Sequence, residues 1–198
     1  GKLPMPETET CHHRLRIEEA MKLSNMPEIY KNALYATAVI DSDNAEPMER
    51  IKYIMSGFER KEYFNAVITG EVCGTGKTHA ACILINEYII KRYGDFDMES
   101  PLAVYTDMTS LMYRIKRNID HKDPELASYI DGIVEAPLLV IDDVGASRIS
   151  DYVRDEAFYI FNERYMNKRS TVIVSNISAK QLQSENYLTQ RIMSRLTQ

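Results

Sequence analysis

An α/β fold of three layers, with a mostly parallel sheet of at least four strands, is what this sequence predicts, and three observations carry that prediction. Short β-type runs alternate with longer helical patterns along most of the chain, the mark of strands joined by crossover helices. One run, Ala66-Val67-Ile68-Thr69, empties into the glycine-rich turn Glu71-Val72-Cys73-Gly74-Thr75-Gly76-Lys77-Thr78, which opens a helical pattern. Another, Leu138-Leu139-Val140-Ile141, is continuously apolar and is closed by Asp142 and Asp143, as a central parallel strand covered on both faces should be.

The elements follow in order. Residues 1–10 read as a leader, and His12–Leu23 as a helix with Leu15, Ile17, Ala20, Met21 and Leu23 on one face. Cys11-His12-His13 has no second cluster to complete a metal site, so it reads as the helix start. Ser24 to Pro27 breaks that helix, and a short segment to Ala38 leads to the polar loop Asp41–Asn44. Pro47 suits the first position of a helix running to about Phe58. Strand 64–69 then precedes helix 78–93, which is apolar nearly all round and should be buried against a sheet. A second strand at 102–105, helices at 107–118 and 124–136, strand 137–141, helix 150–167 and strand 171–175 continue the alternation. Two short helices near 179–183 and 188–196 finish the chain.

Composition narrows the function. With 198 residues the chain can bury the core of one α/β domain with a helical appendage. A net charge of -5 excludes a uniformly basic surface, so contact with nucleic acid has to come from a local patch. The three cysteines, Cys11, Cys73 and Cys82, have neither metal-ligand spacing nor the number for a disulfide framework, which fits a reducing cytoplasm. No run approaches the roughly 18–20 apolar residues of a membrane span, and no signal peptide is visible, so no membrane partner is expected.

The glycine turn is built for phosphate. Gly74 and Gly76 permit positive φ and close approach of backbone N–H groups to an anion, while the following helix presents its free N–H groups and positive dipole end. Lys77 would reach the β- and γ-phosphates and the Thr78 hydroxyl would bind Mg²⁺. Cys73, Gly74, Thr75, Gly76, Lys77, Thr78 and His79 are therefore the candidate nucleotide-contacting residues. The strict motif spacing asks for glycine at 71, where the chain has Glu71, with Gly70 one residue early.

Ligands of open α/β sheets bind outside the carboxyl ends of the strands, so Asp142 and Asp143 should face the same phosphate. Asp142 is placed to hold Mg²⁺ through its water shell, and Asp143 to orient or deprotonate an attacking water. Asn176, ending the last strand, could bond the γ-phosphate or the water without adding charge, or could cap the next turn. Arg191 and Arg195 share one face of the last helix, as a pair reaching into a phosphoryl-transfer site or as a solvated basic end.

Together, GTGKTHA, LLVIDDVGA followed by DYVRDEAFYIFNERY, TVIVSN and QRIMSRL resemble the motif set of the DnaC/DnaI-type helicase loaders of the AAA+ superfamily. The IstB-type transposition ATPases and DnaA initiators are similar. The resemblance covers roughly Met26 to Arg195, and the stretch 25–33 is similar to the family's lead-in to its ATPase domain. It implies a P-loop NTPase of AAA+ type with extra N-terminal helices. Residues 1–25 are then an arm or truncated linker with one helix, and 26–198 the ATPase domain, lacking a complete C-terminal end.

By the same resemblance, Lys77 and Thr78 match Walker A, Asp142 and Asp143 Walker B, and Asn176 sensor 1. Arg195 matches the arginine finger given to a neighbouring subunit's site, which implies self-assembly through ATP interfaces. Asp143 stands where the family usually has glutamate. The helix 107–118, with Tyr113, Arg114, Lys116 and Arg117, corresponds to the family's single-stranded DNA contact, the alternative being a solvated charged face. The function implied is an ATP-hydrolysing helicase loader of DNA replication initiation. It would use ATP/ADP and Mg²⁺, meet a hexameric replicative helicase and act in the cytoplasm of a bacterial or phage-infected cell. The alternatives are an IstB-type transposition helper and a nucleotide-switched adaptor with negligible hydrolysis.

Overall fold

The computed structural model describes residues 11–42, 44–72, 74–121, 124–146, 151–183 and 190–196. Two helices, α1 (Cys11–Leu23) and α2 (Ala45–Ser56), precede the first strand, β1 (Asn65–Thr69). Then come α3 (Lys77–Arg92), β2 (Ala103–Asp107), α4 (Met108–His121), α5 (Pro124–Glu135), β3 (Leu138–Asp142), α6 (Asp151–Met166) and β4 (Ser170–Ser175). The short helices α7 (Ala179–Leu182) and α8 (Gln190–Leu196) follow. The strands form one sheet in the order β1-β4-β3-β2, every neighbouring pair parallel. This is the expected three-layer α/β architecture.

The layers follow from the two-residue period of a strand. Leu138 and Val140 of β3, Val172 and Val174 of β4, and Ala103 of β2 pack into one apolar cluster with Ile83, Leu84 and Ile85 of α3 and Ile17, Ala20 and Met21 of α1. The alternate residues Leu139, Ile141, Ile173 and Val104 pack into a second cluster with α4, α5, α6 and α8. β1 and β2 lie at the two edges, so α3 crosses the whole sheet on one face. The connections back to β3 and β4 use the other face. Neighbouring strands β1 and β4 thus have connections on opposite sides, the arrangement that opens a ligand crevice at their carboxyl ends.

Boundaries differ from expectation where side chains reset them. β2 runs on to Asp107, whose carboxylate then accepts the N–H of Ser110 at 2.8 Å and so caps α4. α2 starts at Ala45, ahead of Pro47, because Asp41 and Asn44 exchange hydrogen bonds of 3.0 and 3.1 Å just before it. Proline is tolerated there because the first-turn N–H groups have no intrahelical partner. The expected leader 1–10 and the starts of the helices at 150 and 188 lie outside the described residues. Among the described residues, no helix is long and apolar enough to cross a membrane.

Arg164, on α6, is fully buried, and among the described residues its guanidinium meets carbonyls and a hydroxyl. Its guanidinium donates to the carbonyls of Ile133 (2.7 Å), Ala136 (2.7 Å) and Ser170 (2.5 Å), and to the hydroxyl of Thr171 (3.0 Å). Ile133 belongs to the last turn of α5, whose carbonyls have no intrahelical donor and carry the negative end of the helix dipole. The arginine therefore caps α5 and ties it to the start of β4. Burial lowers its pKa to about 9, which still leaves it charged at neutral pH.

Candidate functional site

The first wall of the site is the loop between β1 and α3. Gly74 and Gly76 have φ of 80° and 79°, conformations open to glycine at little cost. The Nζ of Lys77 lies 2.8 Å from the Val72 carbonyl and 3.2 Å from the Thr75 hydroxyl, both atoms of the loop itself. A Cβ on Gly70 would stand 3.5 Å from Cδ of Lys77, so Gly70 is the glycine beside the lysine, and Glu71 points to solvent. The loop therefore carries one residue more than the strict spacing. Cys73 lies outside the described residues.

The second wall is the end of β3. Asp142 continues the alternation of Leu138 and Val140, so its side chain emerges on the face that α3 covers. Its Oδ2 accepts the hydroxyls of Thr78 and Tyr105, each at 2.8 Å, and its Oδ1 accepts the N–H of Asp143 at 2.7 Å. Asp142 is only 8% exposed, so these three donors stand in for water. Burial and the Asp142 carboxylate together raise the pKa of Tyr105, which keeps its phenol proton and remains a donor. Cys82, buried beneath, has its thiol pushed up to about 12 by burial and by the same carboxylate, which leaves it inert.

The third wall joins β3 to β4. The pairing with β4 continues past the end of β3, from the N–H of Val144 to the carbonyl of Val174 at 3.0 Å, and the Ser175 hydroxyl donates to the Val144 carbonyl at 2.5 Å. Clipped together in this way, the two exits bring Asn176 to Asp143, whose Oδ1 accepts the Asn176 amide at 3.1 Å. Both side chains are exposed at this point. Asp143 adopts a φ of 56°, a left-handed conformation that aspartate accepts more readily than most residues.

Gly145 closes this turn with a φ of 97°, and a Cβ there would come within 2.7 Å of Ile177. Gly145→Ala is therefore expected to cost about 1–3 kcal/mol of stability, measured by thermal or urea unfolding, and to loosen the Asp143–Asn176 pair.

Oxygen ligands from Thr78 and Asp142 fit Mg²⁺, which takes one or two protein oxygens and fills its remaining positions with phosphates and water. Among the described residues no group of three or more His, Cys, Asp or Glu side chains could hold a metal alone, so the oxygen pair at the strand end is where such an ion would sit.

Two candidate groups lie elsewhere. Arg195, on α8, is held over the rings of Phe158 and Tyr165 at 5.4 and 5.5 Å, and its Nε donates to Asn162 at 3.0 Å. Its carbonyl accepts the side-chain amide of Asn65, the first residue of β1, at 2.7 Å. The phosphate loop leaves the other end of that strand, about 13 Å away along five residues. Arg191 stacks on Phe158 at 4.6 Å.

On α4, Met108, Leu111 and Ile115 are buried and Tyr113, Lys116 and Arg117 are exposed. Arg114 instead stacks on Tyr129 of α5 at 4.3 Å. This group is thus split, with Arg114 turned inward. Two residues absent from the sequence reading adjoin the site: Tyr105, visible only through strand register, and Tyr30, whose ring stacks on His79 at 5.9 Å.

Comparison with known proteins sets this geometry in context. Residues 5–198 match the model of the family described as IstB-like ATP binding protein. The chain is 24% identical over 194 residues to the chromosomal replication initiator protein DnaA of Nautilia profundicola, across 98% of this chain and 41% of that protein. It is 27% identical over 119 residues to the replicative helicase loader DnaI of Bacillus subtilis, across 60% of this chain and 35% of that protein. It spans well under half the length of these curated relatives. Among solved structures, the crystal structure of the DnaC helicase loader is similar, with a TM-score of 0.70 at 23% identity over 86% of this chain and 95% of that one. At that identity the likeness shows the fold, a parallel α/β sheet with helices on both faces.

Proposed function

The chain belongs to the family of IstB-like ATP-binding proteins, and from that premise we propose that it is an ATP-hydrolysing helicase loader of DNA replication. The observation that carries the reading is the run of contacts from Thr78 through Asp142 and Asp143 to Asn176, at 2.7–3.1 Å, at the mouth of the phosphate loop. Residues 26–198 would form the ATPase domain, with residues 1–25 as an arm whose helix rests upon it.

In this reading Lys77 and the N–H groups around Gly74 and Gly76 hold the phosphates. Thr78 and Asp142 would hold Mg²⁺, which would supply charge neutralisation for the phosphates. Asp143, exposed and steadied by Asn176, orients the attacking water and accepts its proton. Arg195 stands at the opposite end of β1 from its own phosphate loop. It would therefore serve a neighbouring subunit, and assembly would proceed through the ATP sites. Tyr113, Lys116 and Arg117 offer an exposed basic and aromatic strip for single-stranded DNA, with Arg114 behind it. The protein partner would be a hexameric replicative helicase in the cytoplasm.

Steady-state hydrolysis with and without single-stranded DNA tests the enzyme. Lys77→Ala and Asp143→Asn are each expected to lower turnover by about 10²-fold or more. If the unmodified protein binds ATP but turns over no faster than these variants, it is a nucleotide-switched adaptor instead. The alternative reading is an IstB-type transposition helper. That protein would retain duplex DNA and a transposase in a pull-down, where a loader would retain the hexameric helicase.

A further inference from the structure

The Asp142 carboxylate has a donor that the proposed chemistry does not use. Tyr105 lies on β2 at the position paired with Val140, two residues before the Asp107–Asp142 pair, so its side chain shares the α3 face and reaches forward to Oδ2 of Asp142. β2 is an edge strand, and in a parallel ladder alternate residues turn both main-chain groups to the same side. For Tyr105 that side is away from β3. Its N–H donates to the carbonyl of Ser24 at 2.7 Å, and its carbonyl accepts the side-chain amide of Asn25 at 3.2 Å. Ser24 is itself fully buried, its hydroxyl donating to the Met21 carbonyl at 2.7 Å at the end of α1. Asn25 adopts a φ of 55°, which turns its amide onto the strand. The exit of α1 therefore grips the main chain of the residue whose hydroxyl grips Asp142.

We propose that Tyr105 is a positioning residue of the metal site, holding Asp142 through its hydroxyl, and that Ser24 and Asn25 fix where that hydroxyl stands. The proposal rests on the reading of Thr78 and Asp142 as Mg²⁺ ligands. With Asp142 nearly buried, water does not cheaply replace a lost donor, so without the phenol the carboxylate keeps only Thr78 on Oδ2 beside the Asp143 N–H on Oδ1 and is held less firmly. The arrangement also links α1 to the nucleotide site through a single strand residue.

The test is Tyr105→Phe in the full chain, which removes the hydroxyl and keeps the ring packed. Binding of a fluorescent ATP analogue is titrated with Mg²⁺, and is measured separately in EDTA. The Mg²⁺ concentration at half-maximal binding is expected to rise about 10-fold, with metal-free affinity within about twofold of the unmodified protein. Asn25→Gly keeps the left-handed backbone and deletes the amide, and is expected to move the midpoint in the same direction by a smaller factor. A lower melting temperature with an unmoved Mg²⁺ midpoint in Tyr105→Phe would make the hydroxyl merely structural and overturn the proposal. A shift in Tyr105→Phe but none in Asn25→Gly overturns the grip by the α1 exit. Lys77→Ala serves as the separate control. If it binds the analogue as tightly as the unmodified protein, the nucleotide site itself has been misread, whatever Tyr105 does.

Discussion

Arg164→Ala is expected to lower stability by at least about 4 kcal/mol, the largest loss from any single side chain described above. The substitution removes a buried cation, which by itself would be a gain. It also strands the carbonyls of Ile133, Ala136 and Ser170 and the hydroxyl of Thr171, all served by the one guanidinium. Each buried acceptor left without a donor costs about 1–3 kcal/mol, and the vacated volume adds a cavity cost. Arg164→Met fills most of the volume yet supplies no donor, so it should recover only the cavity part. Arg164→Lys restores a charge without the planar fork that meets several acceptors at once. For a chain of this size the alanine variant should melt at least about 8 °C lower. A fall of less than about 4 °C by calorimetry would show that water or repacking satisfies those carbonyls.

Arg195→Ala is expected to reduce ATP turnover by about 10³-fold or more while leaving nucleotide affinity within about threefold. The reasoning is positional. Nε is taken by Asn162 and the guanidinium lies between two rings, so the arginine is held in one place with Nη2 bonded to none of the described residues. That place is at the amino-terminal end of β1, away from the chain's own phosphate loop. A variant lacking the arginine should still provide an intact loop, and one lacking Lys77 an intact arginine. Mixing Arg195→Ala with Lys77→Ala protein should therefore restore part of the lost turnover. Loss of ATP binding in Arg195→Ala alone, or no recovery on mixing, would put the arginine in some other role.

Much of this was legible in the sequence because local chemistry and tertiary packing agree. The run closed by Asp142 and Asp143 had to be a buried strand, and it is fully buried along its length. The turn at Gly74 and Gly76 had to admit positive φ, and both glycines adopt it. Residues 78–93 are apolar on too many sides for a surface helix, and α3 buries eight of its 16 residues, all between Ala81 and Ile89. What stayed hidden depends on register between distant segments. Nothing near Tyr105 signals that its hydroxyl meets Asp142 or that Ser24 covers its edge. Arg114 is indistinguishable in sequence from Lys116 and Arg117, and only the packing of α5 sets Tyr129 against it. Arg164 did leave a trace: it continues the helical spacing of the buried Ala157, Ile160 and Phe161, a stripe in which a charged residue signals an internal cap.

Asn65 ties α8 to the start of the same strand that ends in the phosphate loop, and this bears on any assembly built on the sites proposed above. The donor and the receiver of the arginine stand at opposite ends of that strand, so a head-to-tail pair would match one donor to one receiver and leave one of each open. Pairing of that kind would grow until a ring closed or a filament was left with an unmatched surface at each end. In an open stack the number of complete sites is one fewer than the number of subunits. Turnover per subunit should then climb with protein concentration toward a limit, with no jump at the dimer.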